Sequence, residues 1–247
     1  MDRSHDLYKV PNVSIAHMAL TYPSARLVFS KYEIDFCCDG EQLFEHACER
    51  VGVVPGYVWR EIQSMEVNEN PENLRVHDWN PVFLVDFIVQ NHHAYAQEMM
   101  PKIKASLLAL CDEHDADHIE LAEVLDDFND LVDEITHQVH REELALFPVI
   151  RRLYKTEVYT DDEENPVREH VQASITRIEA EHKLVDELLR SLRKLTNFYT
   201  APENASTEHT RVYQKLAEFD TNTTMHIFLE NNVLFKKLLG ESLHGRQ

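Results

Sequence analysis

From residue 81 onward, apolar side chains recur every three or four positions in four long runs, each with a polar opposite face. The first run, about 81–111, places Val82, Val89, Met100 and Leu107 on one stripe with His93 at about 100° per residue. A second, about 117–154, carries Leu121, Leu125, Phe128, Leu131, Ile135, Val139 and Leu146. The third, about 167–199, aligns Ile175, Ile178, Val185 and Leu189 with His182, and the fourth, about 206–239, aligns Val212, Leu216, Phe219, Val233 and Leu234 with His226 and Glu230. This period predicts amphipathic helices. Four helices of about 30 residues would each span roughly 45 Å, a length suited to a bundle with a site near its middle. The acidic stretch Thr160–Pro166 separates the second from the third.

The first 65 or so residues read differently. Ser14 caps a short helix through Leu20, Tyr22-Pro23-Ser24 opens another carrying Leu27, Val28 and Phe29, and Asp39-Gly40 interrupts the chain just after Cys37 and Cys38. Two further short helices follow, near Gln42–Arg50 and Pro55–Gln63, and the polar stretch Asn68–Asn73 looks like a linker. The expected organisation is therefore all-α: a small helical domain over 1–67, a linker over 68–80 and an up-down four-helix bundle over 81–247.

Composition narrows the function classes. With 24 Lys and Arg against 44 Asp and Glu, a formal charge of -20, the chain has no basic stripe to displace counterions from a nucleic acid. Met-Asp-Arg-Ser-His-Asp at the start lacks the apolar core of a signal peptide, and no apolar run approaches the ~18 residues of a membrane span. A cytoplasmic protein without membrane or nucleic-acid partners is the expectation. Four cysteines, two of them adjacent, are unlike a secreted disulfide framework. Cys48 and Cys111 read as buried apolar residues. Asp35 and Asp39 flank Cys37 and Cys38, and like charge disfavours their thiolates, the reactive form.

The chemistry lies in a repeat. Gln138-Val-His-Arg-Glu142-Glu-Leu-Ala-Leu-Phe147 and His226-Ile-Phe-Leu-Glu230-Asn-Asn-Val-Leu-Phe235 resemble each other at a separation of 88 residues. A histidine precedes each at a matching distance, His93 before Glu142 and His182 before Glu230. Positions four apart share a helical face, so imidazole and carboxylate converge. A single His on an apolar face is more often a hydrogen-bonded core residue than a ligand. Three on the core stripes of three helices, with two acids that are rarely left buried without a partner, favour a metal cluster instead. Imidazole and carboxylate without thiolate suit iron, manganese or zinc, and two carboxylates able to bridge suit a di-iron centre best. Glu134 and Glu181 are candidates to orient a ligand or line an access path.

One position departs from the repeat, because Gln138 stands where the second copy has His226. His137 and His140 lie about 140° and 160° from Glu142 in a regular helix, off its face. A π-bulge would bring His137 round. Otherwise Gln138 binds through its carbonyl oxygen or leaves a ligand position open.

Tyr32-Glu-Ile-Asp-Phe-Cys-Cys-Asp-Gly40 with Ala47-Cys48, Asn91-His-His-Ala-Tyr95, Glu142-Glu-Leu-Ala-Leu-Phe-Pro148, Glu179-Ala-Glu-His182 and His226–Phe235 together resemble the repair-of-iron-centres family. These are hemerythrin-like di-iron proteins that restore iron-sulfur clusters after nitric oxide or peroxide damage, with a short N-terminal Cys-Cys domain. The likeness covers about residues 10 to 240. It implies His93, Glu142, His182, His226 and Glu230 as iron ligands, with Glu142 and Glu230 bridging a non-haem pair that also shares an oxo group. It implies Cys37 and Cys38 as reactive thiols, and it places the family's remaining histidine ligand at Gln138. The function it implies is repair of damaged iron-sulfur proteins, by iron donation or by nitric oxide reduction. The rivals are a di-iron sensor or carrier of oxygen or nitric oxide, and an iron store. A homodimer is compatible with each of them, and the sequence does not decide whether the protein turns over a substrate.

Overall fold

The computed structural model describes residues 10–66, 76–113, 119–155, 166–203 and 205–240. Their regular elements are all helices, and among the described residues the only β contact is an isolated bridge between Ser14 and Leu43. None of the described helices is long and apolar enough to cross a membrane. By contacts the chain forms two compact units, Pro81–Ile227 and a second made of Met1–Asn80 with Phe228–Gln247. The expected linker Asn68–Asn73 and most of the acidic stretch before Pro166 lie outside the described residues.

The smaller unit holds α1 (Ile15–Thr21), α2 (Pro23–Lys31), α3 (Phe44–Arg50) and α4 (Pro55–Glu66). Ser14 accepts a hydrogen bond from the His17 amide at 3.2 Å, which fixes the start of α1, and Pro23 occupies the first turn of α2, where its missing N–H costs nothing. Phe29 lies at the centre of the core, its ring 6.1 Å from both Phe36 and Phe44. The unit also recruits the last helical stretch. Phe228 packs its ring 5.6 Å from Phe36, and Asn232 donates to the Cys37 carbonyl at 2.9 Å. This differs from the expectation that all of 81–247 belongs to the bundle. Apolar and amide side chains on that stretch meet the carbonyls of the Cys-Cys turn, an attachment that helical periodicity does not display.

Gly40 shows how close that approach is. Its carbonyl accepts from the Ala16 amide at 2.9 Å, and an added Cβ would overlap the Asn232 amide oxygen and come within 2.9 Å of Ala16 Cβ. Asn232 is buried and tethered to Cys37, so it has little room to retreat. Gly40→Ala is expected to destabilise this unit by about 1–3 kcal/mol, as overpacking does. An unchanged denaturant midpoint in the variant would show that the contact yields freely.

The larger unit is a helical bundle built from long rods, and three of the described rods contain a single π-turn, the last of these within the Phe228–Gln247 stretch that belongs to the smaller unit. α5 (Pro81–Ile88) runs through the π-turn Val89–His93 into α6 (Ala94–Glu113), and α7 (Ile119–Arg141) through Glu142–Leu146 into α8 (Phe147–Lys155). The third rod, α9 (Pro166–Leu195), is regular. α10 (Thr207–Leu229) continues through the π-turn Glu230–Leu234 into α11 (Phe235–Leu239), which ends at Gly240 in the left-handed conformation that glycine adopts without strain. In each π-turn an amide donates five residues back: Ala94 to Val89, Phe147 to Glu142, Phe235 to Glu230.

These turns alter the expected stripes. α9 follows its prediction, with Ile175, Ile178, His182, Val185 and Leu189 all buried. In the first rod, Val82 and Val89 are only half-buried, and Leu84, Val85 and Ile88 face the core instead. The extra residue of the π-turn shifts the register, so His93 continues the stripe of Leu84, Val85 and Ile88 rather than that of Val82 and Val89.

Candidate metal centre

The π-turns each deliver a residue of the repeat: His93 ends the first, Glu142 opens the second and Glu230 opens the third. A wide turn rotates the side chains that follow it, so the helix can commit one extra position to the interior without turning its apolar face outward. His93, Glu142, His182 and His226 are all buried, as is Gln138. Glu230, four residues beyond His226 on the same helical stretch, is 0% exposed.

Within the larger unit Glu142 is the hub. Its Oε2 lies 3.1 Å from His93 Nε2 and 3.8 Å from His226 Nε2, and those two nitrogens are 3.1 Å apart. Its Oε1 accepts from Gln138 Nε2 at 3.0 Å and lies 3.8 Å from His182 Nε2, while Gln138 Nε2 also donates to His182 Nε2 at 2.8 Å. One carboxylate thus faces two nitrogen pairs, one on each oxygen. The ligand atoms of His93, Glu142 and His226 all fall within 4.8 Å of one another.

Residues 85–238 match the hemerythrin HHE cation binding domain. The chain belongs to that family. Residues 11–66 match a second family, a domain of unknown function (DUF542). Two curated relatives are each named iron-sulfur cluster repair protein YtfE, one from Yersinia pseudotuberculosis serotype IB (strain PB1/+) and one from Yersinia pestis (strain Pestoides F). Each is 25% identical over 235 residues, covering 92% of this chain and 97% of the relative.

The donor set fits a hemerythrin-type cation site on electrostatic grounds. Among the described residues, the partners of the buried Glu142 are imidazoles and the Gln138 amide, none of them a permanent cation. A buried carboxylate needs a compensating positive charge, and a metal ion held by the same imidazoles supplies it.

Sequence reasoning missed two residues that lie against this cluster. Glu143 Oε1 lies 2.8 Å from His93 Nδ1, so it accepts that N–H and leaves the Nε2 lone pair turned inward. Its only signal was adjacency to Glu142. Glu181, a candidate alongside Glu134 to orient a ligand or line an access path, instead pairs with Arg141 at 2.7 Å and Arg177 at 3.2 Å. His92 is also buried; its ring stacks on His226 with centroids 5.9 Å apart, its Nδ1 is 3.1 Å from Asn222 Oδ1, and with Tyr95 and Met225 it lines an open pocket. Losing an orienting carboxylate typically weakens metal binding about 10- to 100-fold, so Glu143→Ala is expected to show that loss in a chelator competition while keeping its helicity. Equal affinity would mean that Glu143 is only a surface acid.

His137 is exposed on regular helix, and the π-turn begins after it, at Glu142. The bulge that would have turned His137 inward is therefore absent from that stretch, and Gln138 is the residue that faces the site.

The adjacent cysteines lie in the smaller unit with their sulfurs 3.7 Å apart. Asp35 Oδ1 accepts from the Cys37 thiol at 3.4 Å and from the Cys38 amide at 2.8 Å, so one carboxylate organises the pair. Cys48 is buried, and burial, reinforced by Glu45 and Glu49, pushes its thiol up to about 12. Cys111, expected to be buried, is half-buried and donates to the Leu121 carbonyl at 3.5 Å.

Proposed function

We propose that this protein repairs iron-sulfur clusters damaged by nitrosative or oxidative stress, through a non-haem di-iron centre. His93, Glu142, His182, His226 and Glu230 would hold the irons, Glu142 and Glu230 would be the carboxylates serving both, and Cys37 and Cys38 would be the reactive thiols. The observation that carries this reading is the fully buried Glu142 facing a nitrogen pair on each oxygen, in a chain whose relatives bear the repair name over almost their whole length. The four-residue spacing of His226 and Glu230 supports Glu230 as the second shared carboxylate.

When bound, the iron pair supplies redox capacity and a source of iron for a damaged cluster. The chain supplies the rest. Glu143 holds the His93 proton at Nδ1, Glu142 brings negative charge among the buried imidazoles, and the buried Phe147 ring, stacked on His93 with centroids 5.6 Å apart, limits access by water. A small diatomic ligand such as nitric oxide, or an oxygen species, is a suitable visitor. The client is a damaged iron-sulfur protein in the cytoplasm.

The test is reactivation of an iron-sulfur hydratase inactivated by nitric oxide. Iron-loaded protein is expected to restore activity faster than the same amount of free ferrous iron. Reversible gas binding with no reactivation beyond the free-iron control would favour a sensor or carrier instead.

A further inference from the structure

The two nitrogen pairs around Glu142 are not equivalent. On the Oε2 side stand two imidazoles, His93 and His226, whose Nε2 atoms are 3.1 Å apart, with His93 held from behind by Glu143. On the Oε1 side stand one imidazole, His182, and one carboxamide, Gln138. The Gln138 amide nitrogen has no lone pair to offer a metal, and it donates both to Glu142 Oε1 and to His182 Nε2, the atoms a cation would need. Its carbonyl oxygen is buried without a hydrogen-bond partner among the described residues. Turning the amide over would present that oxygen, a neutral donor poorer than imidazole for ferrous iron.

We infer that the centre holds its irons unequally: one retained between His93 and His226, and one readily surrendered beside Gln138 and His182. Gln138 makes the second position weak in two ways. It withholds a nitrogen ligand, and its two hydrogen bonds compete with the cation for Glu142 and His182. The inference rests on the di-iron reading and sharpens it, since a protein that keeps one iron and releases the other suits delivery of iron to a damaged cluster. The retained iron keeps Glu142 neutralised, so the site need not collapse when the second leaves.

The experiment loads the full chain anaerobically with ferrous iron alone and follows its loss to an excess of ferrous chelator. Two phases of similar amplitude are expected, the fast one roughly 10- to 100-fold quicker, the range by which lost ligand support weakens a metal. Gln138→His should slow the fast phase toward the slow one, and His182→Ala should abolish the fast phase while the slow one remains. His137→Ala should change neither. Circular dichroism of each variant establishes that it is folded, and the wild-type phases do not depend on any variant. Two irons leaving at one rate would overturn the inequality while leaving the di-iron reading intact. Faster loss from His137→Ala with no effect of Gln138→His would overturn the assignment to Gln138. A chain that retains no iron at all would overturn the di-iron reading and this inference with it.

Discussion

Glu142→Ala is expected to strip both metal positions together and to lower the melting temperature more than loss of any one imidazole. The carboxylate is 0% exposed and approaches nitrogens on both sides, so neither position survives its removal. Breaking a buried charged set by deleting one partner costs about 3–5 kcal/mol. A bound metal held at 100 times its dissociation constant adds about 2.7 kcal/mol, and that contribution is lost as well. At about 2–4 °C per kcal/mol for a unit of this size, the combined fall should exceed 10 °C. Glu230→Ala should move both readouts in the same direction. Metal analysis and thermal denaturation of the same preparation decide, and full iron with an unchanged midpoint in both variants would show the ligand assignment to be wrong.

Arg193→Met is expected to cost about 3 kcal/mol without touching the metal. Arg193 and Asp220 form a two-pronged ion pair with side chains 12% and 6% exposed, and Tyr199 donates its hydroxyl to the same carboxylate at 2.7 Å. Burial alone would lower the Arg193 value, but the hydrogen bond and charge of Asp220 outweigh it and raise it, so the guanidinium stays charged. Burial first, then the Asp220 charge, holds the Tyr199 phenol well above its ordinary value and keeps its proton in place. The pair also secures three consecutive non-glycine residues in the left-handed region, Asn197, Phe198 and Tyr199, each conformation costing of order 1–3 kcal/mol unless its surroundings enforce it. Methionine fills the volume but leaves Asp220 a buried charge without its cation. A midpoint within about 1 °C of wild type, read by circular dichroism of the metal-free protein, would place that turn's support elsewhere.

Much of this was legible in the chain because a helix writes its buried face at a fixed period. The third rod shows the rule at its best: Ile175, Ile178, His182, Val185 and Leu189 fall on one stripe and are buried. The first rod shows its limit, since a constant 100° per residue picks Val82 and Val89, whereas the π-turn at Val89–His93 hands the core to Leu84, Val85 and Ile88. A π-turn is a backbone event decided by what the rod must bury, and no residue type announces it. The bulge weighed for His137 was the right device at the wrong place, starting at Glu142 and recurring at Glu230. The clustering of His93, Glu142, His182 and His226 was legible because the repeat and the apolar stripe single them out. Glu143 could not, since only the fold carries His93 to within 2.8 Å of it across 50 residues. The attachment of Asn232 to Cys37, 195 residues apart, was hidden for the same reason.

The most direct test of the di-iron reading is the metal content of protein purified without oxygen from iron-replete cells and measured before any chelator is added. More than one iron per chain is expected, at a site of imidazole and carboxylate donors that suits ferrous iron. Stoichiometric zinc with no iron would contradict it.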